Sequence, residues 1–72
     1  MKMNYFKDTD SLYIDLSSST SVESHEVSPG IVLDYGEDGA LVGIDIDNAS
    51  LKLDLTNLVL HHFPVENQKI AA

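Results

Sequence analysis

Apolar residues in the first two thirds of this chain recur with a period of two, and no other feature narrows the fold as far. Period two puts successive apolar side chains on one face of an extended strand, whereas a helix needs spacings of three and four. The clearest instance is Ile31–Tyr35, then Gly36-Glu37-Asp38-Gly39, then Ala40–Ile46. Two β-branched runs around a loop ending in Asp-Gly have the chemistry of a hairpin. Pairing Tyr35 with Ala40 predicts that Leu33 meets Val42 and Ile31 meets Ile44. Ile31, Leu33, Val42, Ile44 and Ile46 then line one face, and a slip of one residue would turn all of them outward.

An earlier hairpin joins Met3–Phe6 to Ser11–Leu16 through Lys7-Asp8-Thr9-Asp10, whose aspartates bond their own backbone and favour a turn. Phe6 then faces Ser11 and Tyr5 faces Leu12. Met3, Tyr5, Leu12, Ile14 and Leu16 share one side, and Asn4, Phe6, Tyr13 and Asp15 the other. Ser17–Ser21 reads as a loop. Val22–Ser28 alternates poorly and carries Glu23, His25 and Glu26, which suits a charged edge strand, and Pro29-Gly30 closes it.

After Asp47–Ser50 two periods overlap. Leu51, Leu53 and Leu55 alternate as in a strand, while Leu55, Leu58, Val59 and Phe63 fit one helical face. The expectation is an extended piece through Leu53 and a short helix over 55–63, capped by Asp54 and stopped before Pro64. Together these elements predict an α+β fold: an antiparallel β meander of four to five strands with one short C-terminal helix packed on a sheet face. A single domain is expected over residues 1–65, with 66–72 a disordered tail.

A chain of 72 residues holds one small core, and natural chains of that size often add disulfides, a metal or a partner subunit. Cysteine is absent, which excludes disulfides and thiolate zinc sites and leaves oligomerisation or a metal as supports; the small size and the second apolar group of Phe6, Tyr13, Val32 and Leu41 make a homodimer the expectation. Twelve acidic residues against four Lys and Arg give a net charge of −8. Such a field repels phosphate backbones, so nucleic acid is not an expected partner; the excess acid keeps a small protein soluble, and the same field would also steer a basic protein surface toward this one. No run approaches the roughly 20 apolar residues that span a bilayer, and Met1–Asp8 has no signal-peptide character, so a cytoplasmic protein with no membrane partner is expected.

Candidate chemistry is sparse. Asp34, Gly36, Asp38, Gly39 and Asp45 fall at positions of a calcium-binding EF-hand loop, but Gly36 offers no side-chain oxygen and the flanks read as strands. A hairpin turn accounts for both glycines and Asp38. Asp15, Asp34 and Asp45 fall on the sheet side opposite the apolar one, together with Phe6, Tyr13, Val32 and Leu41. An apolar group bordered by carboxylates reads as a candidate interaction surface. The alternative is a small metal-binding or metal-dependent hydrolytic domain using these carboxylates with a histidine. Adjacent His61 and His62 lack the i, i+4 spacing that grips zinc on a helix, and His25 sits among exposed acids. No nucleophile has a base and an orienting acid beside it, and no glycine-rich phosphate cradle or other cofactor motif occurs. The expected role is therefore an interaction module rather than an enzyme.

Tyr5–Asp10 followed by Ser11-Leu12-Tyr13-Ile14, then Glu23–Val27, Pro29–Asp34 and Gly39–Ile46 with Ala49-Ser50 together resemble the small prokaryotic domain-of-unknown-function family 2283. Phe6 stands where that family often has Asp, Asp45 where it usually has Glu, and the stretch after Ser50 departs from the usual helix-forming end. The resemblance implies a compact β-rich domain with no assigned activity and an antitoxin-like or accessory role beside a partner protein.

Overall fold

In a computed structural model residues 1–64 are described. Five strands and one short helix follow in order: β1 (Lys2–Phe6), β2 (Ser11–Asp15), β3 (Glu23–Ser28), β4 (Ile31–Tyr35), β5 (Leu41–Ile46) and α1 (Ala49–Lys52). All strands lie in one antiparallel sheet of spatial order β1-β2-β5-β4-β3. A simple meander was expected. Instead β5 inserts beside β2, and the serine-rich connection carries the chain from β2 to the far edge. Composition agrees with the order: the apolar β2, β5 and β4 take the three inner places, and the charged β3 takes an edge with every residue exposed.

The first hairpin has the expected register, with Phe6 opposite Ser11, Tyr5 opposite Leu12 and Met3 opposite Ile14. The second differs. Ile31 pairs with Ile46, Leu33 with Ile44 and Tyr35 with Leu41, with a register shift between Asp34 and Tyr35. Its turn closes one residue later than expected: Gly36 N–H donates to the Ala40 carbonyl at 2.8 Å and Gly39 N–H to the Gly36 carbonyl at 3.0 Å. Gly39, at φ +82°, takes the left-handed position that a three-residue loop requires. Asp38 Oδ1 accepts from Ala40 N–H at 3.1 Å, so the calcium-like pattern is resolved as a hairpin turn. Beyond the register shift the slip relative to expectation is two residues, an even number, so Ile31, Leu33, Ile44 and Ile46 still share a face.

The helix expected over 55–63 is absent from that stretch, and a single helical turn forms earlier at Ala49–Lys52. Tertiary partners decide this. The Asp10 carbonyl accepts from Ala49 N–H at 2.8 Å, and the Asp10 carboxylate accepts from Ser50 N–H at 3.1 Å and Ser50 Oγ at 2.6 Å. Donors that begin a helix are thus satisfied from the first hairpin, and Asn48, at φ +51°, turns the chain into it. Asp54 accepts from Thr56 N–H and Oγ1, a local turn that competes with helix. Leu53 is extended rather than paired as a strand. Residues 54–64 are irregular and exposed, as a nine-residue helix with no packed face is marginal in water. The expected tail 66–72 lies outside the described residues.

Burial is concentrated on one side of the sheet. Leu12, Ile46 and Ala49 form the core cluster, with Ile14 and Ile44 partly buried against it. Ala49 is completely enclosed, its methyl being the part of α1 that the sheet receives. Of the apolar set expected to hide together, Leu12 and Val42 are buried, Ile14, Ile31, Leu33 and Ile44 half-buried, and Met3 and Tyr5 about half exposed, at 51% and 47%. The two hairpins lie side by side in one layer, with one four-residue helix above them.

Candidate functional site

Register and alternation sort the sheet into two faces. Lys2, Asp15, Gly43, Asp34 and Ser24 form one cross-strand row, and Asn4, Tyr13, Asp45, Val32 and Glu26 the next. Asp15, Asp34, Asp45, Tyr13 and Val32 from the candidate surface therefore meet on neighbouring rows of one face. Phe6 stands at the end of β1 on the same face, paired with Ser11 and more than half exposed. Leu41 pairs with Tyr35 because of the register shift, which takes it out of line with Gly43 and sets it with the opposite face.

A polar lattice organises this surface. The Tyr13 hydroxyl donates to Asp34 Oδ2 at 2.7 Å, and Ser24 Oγ donates to Asp34 Oδ1 at 2.6 Å, tying β2, β4 and β3 together across the sheet. β5 lies between β2 and β4, so the ring of Tyr13 must pass over it. Gly43 makes that passage possible: a Cβ there would lie 2.0 Å from the Tyr13 hydroxyl oxygen. A glycine inside a strand often marks such a close approach.

Hydrogen bonding to Asp34, then burial and the charges of Asp34, Asp15 and Asp45, push the Tyr13 hydroxyl up to about 12. Tyr13 therefore keeps its proton at neutral pH and serves as a fixed donor rather than a base. Burial first, and then the charges of Asp47 and Asp34, raise the Asp45 carboxyl above the ordinary carboxylate value. Asp15, Asp34 and Asp45 are spread over two rows, and among the described residues no three His, Cys, Asp or Glu come together to hold a metal ion. His61 and His62 lie outside any helix, their ring centroids 6.4 Å apart. His25, on β3, contacts Glu23 at 3.1 Å and the edge of Tyr35.

The other face carries the rows Tyr5, Leu12, Ile46, Ile31 and Met3, Ile14, Ile44, Leu33. At its rim is a second polar cluster. Asp10, held at φ +50°, accepts from the Tyr5 hydroxyl at 2.7 Å and from Ser50. Those bonds, Ser50's side chain first, hold its carboxyl below the ordinary value.

Sequence reasoning found the carboxylates but missed Gly43, Ser24 and the Asp10–Ser50 bond. Gly43 left a signal, an isolated glycine in a β-branched run. Asp10 and Ser50 are 40 positions apart and left none. Among the described residues no helix is long and apolar enough to cross a membrane.

Residues 2–50 match a protein family described as protein of unknown function (DUF2283). No curated protein and no solved structure matches the chain. The matched region covers the whole sheet and ends inside α1, so the leucine-rich stretch after Ser50 lies beyond it.

Proposed function

This chain belongs to the DUF2283 family of proteins of unknown function, and we propose that it works as a small acidic protein-interaction and assembly module. The observation that carries this reading is a sheet one layer thick on whose apolar side, among the described residues, Leu12, Val42, Ile46 and Ala49 are buried while Met3 and Tyr5 stay about half exposed. A sheet hides its apolar side against another layer, and here the described chain supplies a single helical turn. Apolar surface left open in this way marks a docking site.

The opposite face supports a second contact, with a basic protein. Asp15, Asp34, Asp45 and Glu26 stand there in the same two rows as Lys2, in a chain of net charge −8. Carboxylates gathered on one face, with Asp34 held by Tyr13 and Ser24, steer a cationic surface and set its register more than they add raw affinity. An antitoxin-like accessory role is the specific form of this reading that the family resemblance implies.

Purification from the native source at low ionic strength tests it. A basic protein is expected in stoichiometric amount, released as salt is raised and lost with Asp45→Lys. A chain that emerges alone at low salt, or a partner indifferent to Asp45→Lys, counts against the reading.

A further inference from the structure

Ala49-Ser50-Leu51-Lys52 is a single helical turn, too short to persist by itself in water, so it stands only while the sheet holds it. Two clasps do so. At the first, the Asp10 carbonyl accepts from Ala49 N–H at 2.8 Å. The Asp10 carboxylate accepts from Ser50 N–H at 3.1 Å and Ser50 Oγ at 2.6 Å, and the Tyr5 hydroxyl braces it at 2.7 Å. At the second, Lys52 Nζ reaches back by the Pro29-Gly30 turn to donate to the Asp47 carbonyl. Gly30 leaves the room, since a Cβ there would lie 2.9 Å from that nitrogen.

The clasped turn buries little. Ala49 is enclosed, but Ser50, Leu51 and Lys52 are exposed, Leu51 at 85%. Just before it, Asp47 N–H donates to the Gly30 carbonyl at 2.7 Å, which ties the end of β5 to the β3–β4 turn. Just after it, the hydrogen bonds of the described chain are local, Leu53 N–H to the Ala49 carbonyl and Thr56 to Asp54. Asn48 stands between the tied and the untied chain, in the left-handed region at φ +51°. A segment held by exposed hydrogen bonds with little apolar burial opens at lower free energy than the core.

We propose that Ala49–Lys52 is a latch, swinging about Asn48 as a unit while all five strands stay paired, and masking Leu12 and Ile46 while it is closed. No ladder bond has to break, because α1 lies outside the sheet. In the closed state the Ala49 methyl completes the cluster of Leu12 and Ile46, which are 8% and 9% exposed. Opening returns both to water in the cross-strand row of the half-exposed Tyr5, which lengthens the apolar strip open to a partner. Bonds to an ionised acceptor are the strong ones, so Asp10 sets how often the latch opens. As a control on docking the latch rests on the interaction-module reading above; as a motion of the chain it stands on the clasps alone.

Native-state hydrogen exchange of the full chain, read by NMR, tests the motion. The Ala49, Ser50 and Leu53 amides are expected to exchange together, at least about tenfold faster than the slowest inter-strand amides of β2 and β5. Low urea should barely change them, because their opening exposes little surface. Asp10→Asn should speed all three about tenfold. Ser50→Ala deletes one bond, should speed them less, and carries the comparison if Asp10→Asn does not fold. Tyr13→Phe, a change in the sheet away from the latch, should speed the strand amides and leave these three alone. A dissolved paramagnetic probe should broaden the Leu12 and Ile46 methyl signals more in Asp10→Asn than in the parent chain. If the three amides follow the strand amides under urea and in Tyr13→Phe, they open only by global unfolding and the proposal is overturned. Leu12 and Ile46 signals indifferent to Asp10→Asn overturn it too. A latch that opens alone in a chain that takes up no basic partner supports the motion and counts against the interaction-module reading only.

Discussion

On the face of Leu12 and Ile44 the side chains differ mainly in how far water has been removed from them, whereas on the face of Tyr13 and Asp45 they differ in what they hydrogen-bond. The first face is graded, from the enclosed Ala49 to the half-exposed Met3, and its order is non-directional, since apolar burial has no preferred geometry. The second is specified atom by atom, with Asp34 accepting at both oxygens from two different strands. One sheet therefore separates the source of its stability from the source of its surface pattern, and the two should respond differently to substitution.

The largest effect is expected from Leu12→Ala, which removes a buried side chain from the core of Leu12, Ile46 and Ala49. A loss of about 2–5 kcal/mol is expected in urea unfolding. A loss below about 1 kcal/mol would mean that the apolar face does not hold the fold and that the contrast between the faces has been drawn backwards. Next comes Gly43→Ala on the opposite face. Its Cβ collides with the Tyr13 ring, and about 1–3 kcal/mol is expected. Tyr13→Phe, which deletes only the hydroxyl, should cost about 1 kcal/mol. Equal losses for these two would show that the bond to Asp34, and not the seating of the ring, is what matters there.

The smallest effects are electrostatic and appear as pH dependence. Tyr13 is raised from 10.0 to about 12, so its contribution is complete below the ordinary tyrosine value and is lost as pH climbs from there through the folded value. Tyr13→Phe should remove that alkaline decline. Asp10 is lowered, so its contribution is present above the ordinary carboxylate value and lost as pH falls through the folded one. Asp45 is raised and acts in the opposite sense, its contribution complete in acid and lost as pH rises. Denaturation followed from acid to alkali should show Asp10→Asn flattening the acid limb, while Asp45→Asn lifts stability at neutral pH. The same change of slope in both variants would contradict the assigned causes.

Much of the sheet was legible in the amino-acid order because period two constrains a strand residue by residue. Tyr5 opposite Leu12 and the shared face of Ile31, Leu33, Ile44 and Ile46 follow from alternation and from turn chemistry within a few positions. The edge position of β3 was legible from Glu23, His25 and Glu26. The two-residue slip in the second hairpin was not, because a three-residue loop and a four-residue loop use the same Asp-Gly, and an even slip leaves the apolar pattern unchanged.

What the sequence by itself determined is local: strands rather than helices in the first two thirds, which side chains alternate together, and a net charge of −8. The tertiary structure alone decided the placement of β5 between β2 and β4, the reach of Tyr13 over Gly43 to Asp34, and the early helical turn held by Asp10. Each of these joins groups separated by tens of positions, and a bond of that kind acquires an energy only once the backbone has brought both partners within hydrogen-bond reach. The helix drawn over 55–63 failed for the same reason, since its apolar stripe needed a surface to pack on, which no local pattern encodes.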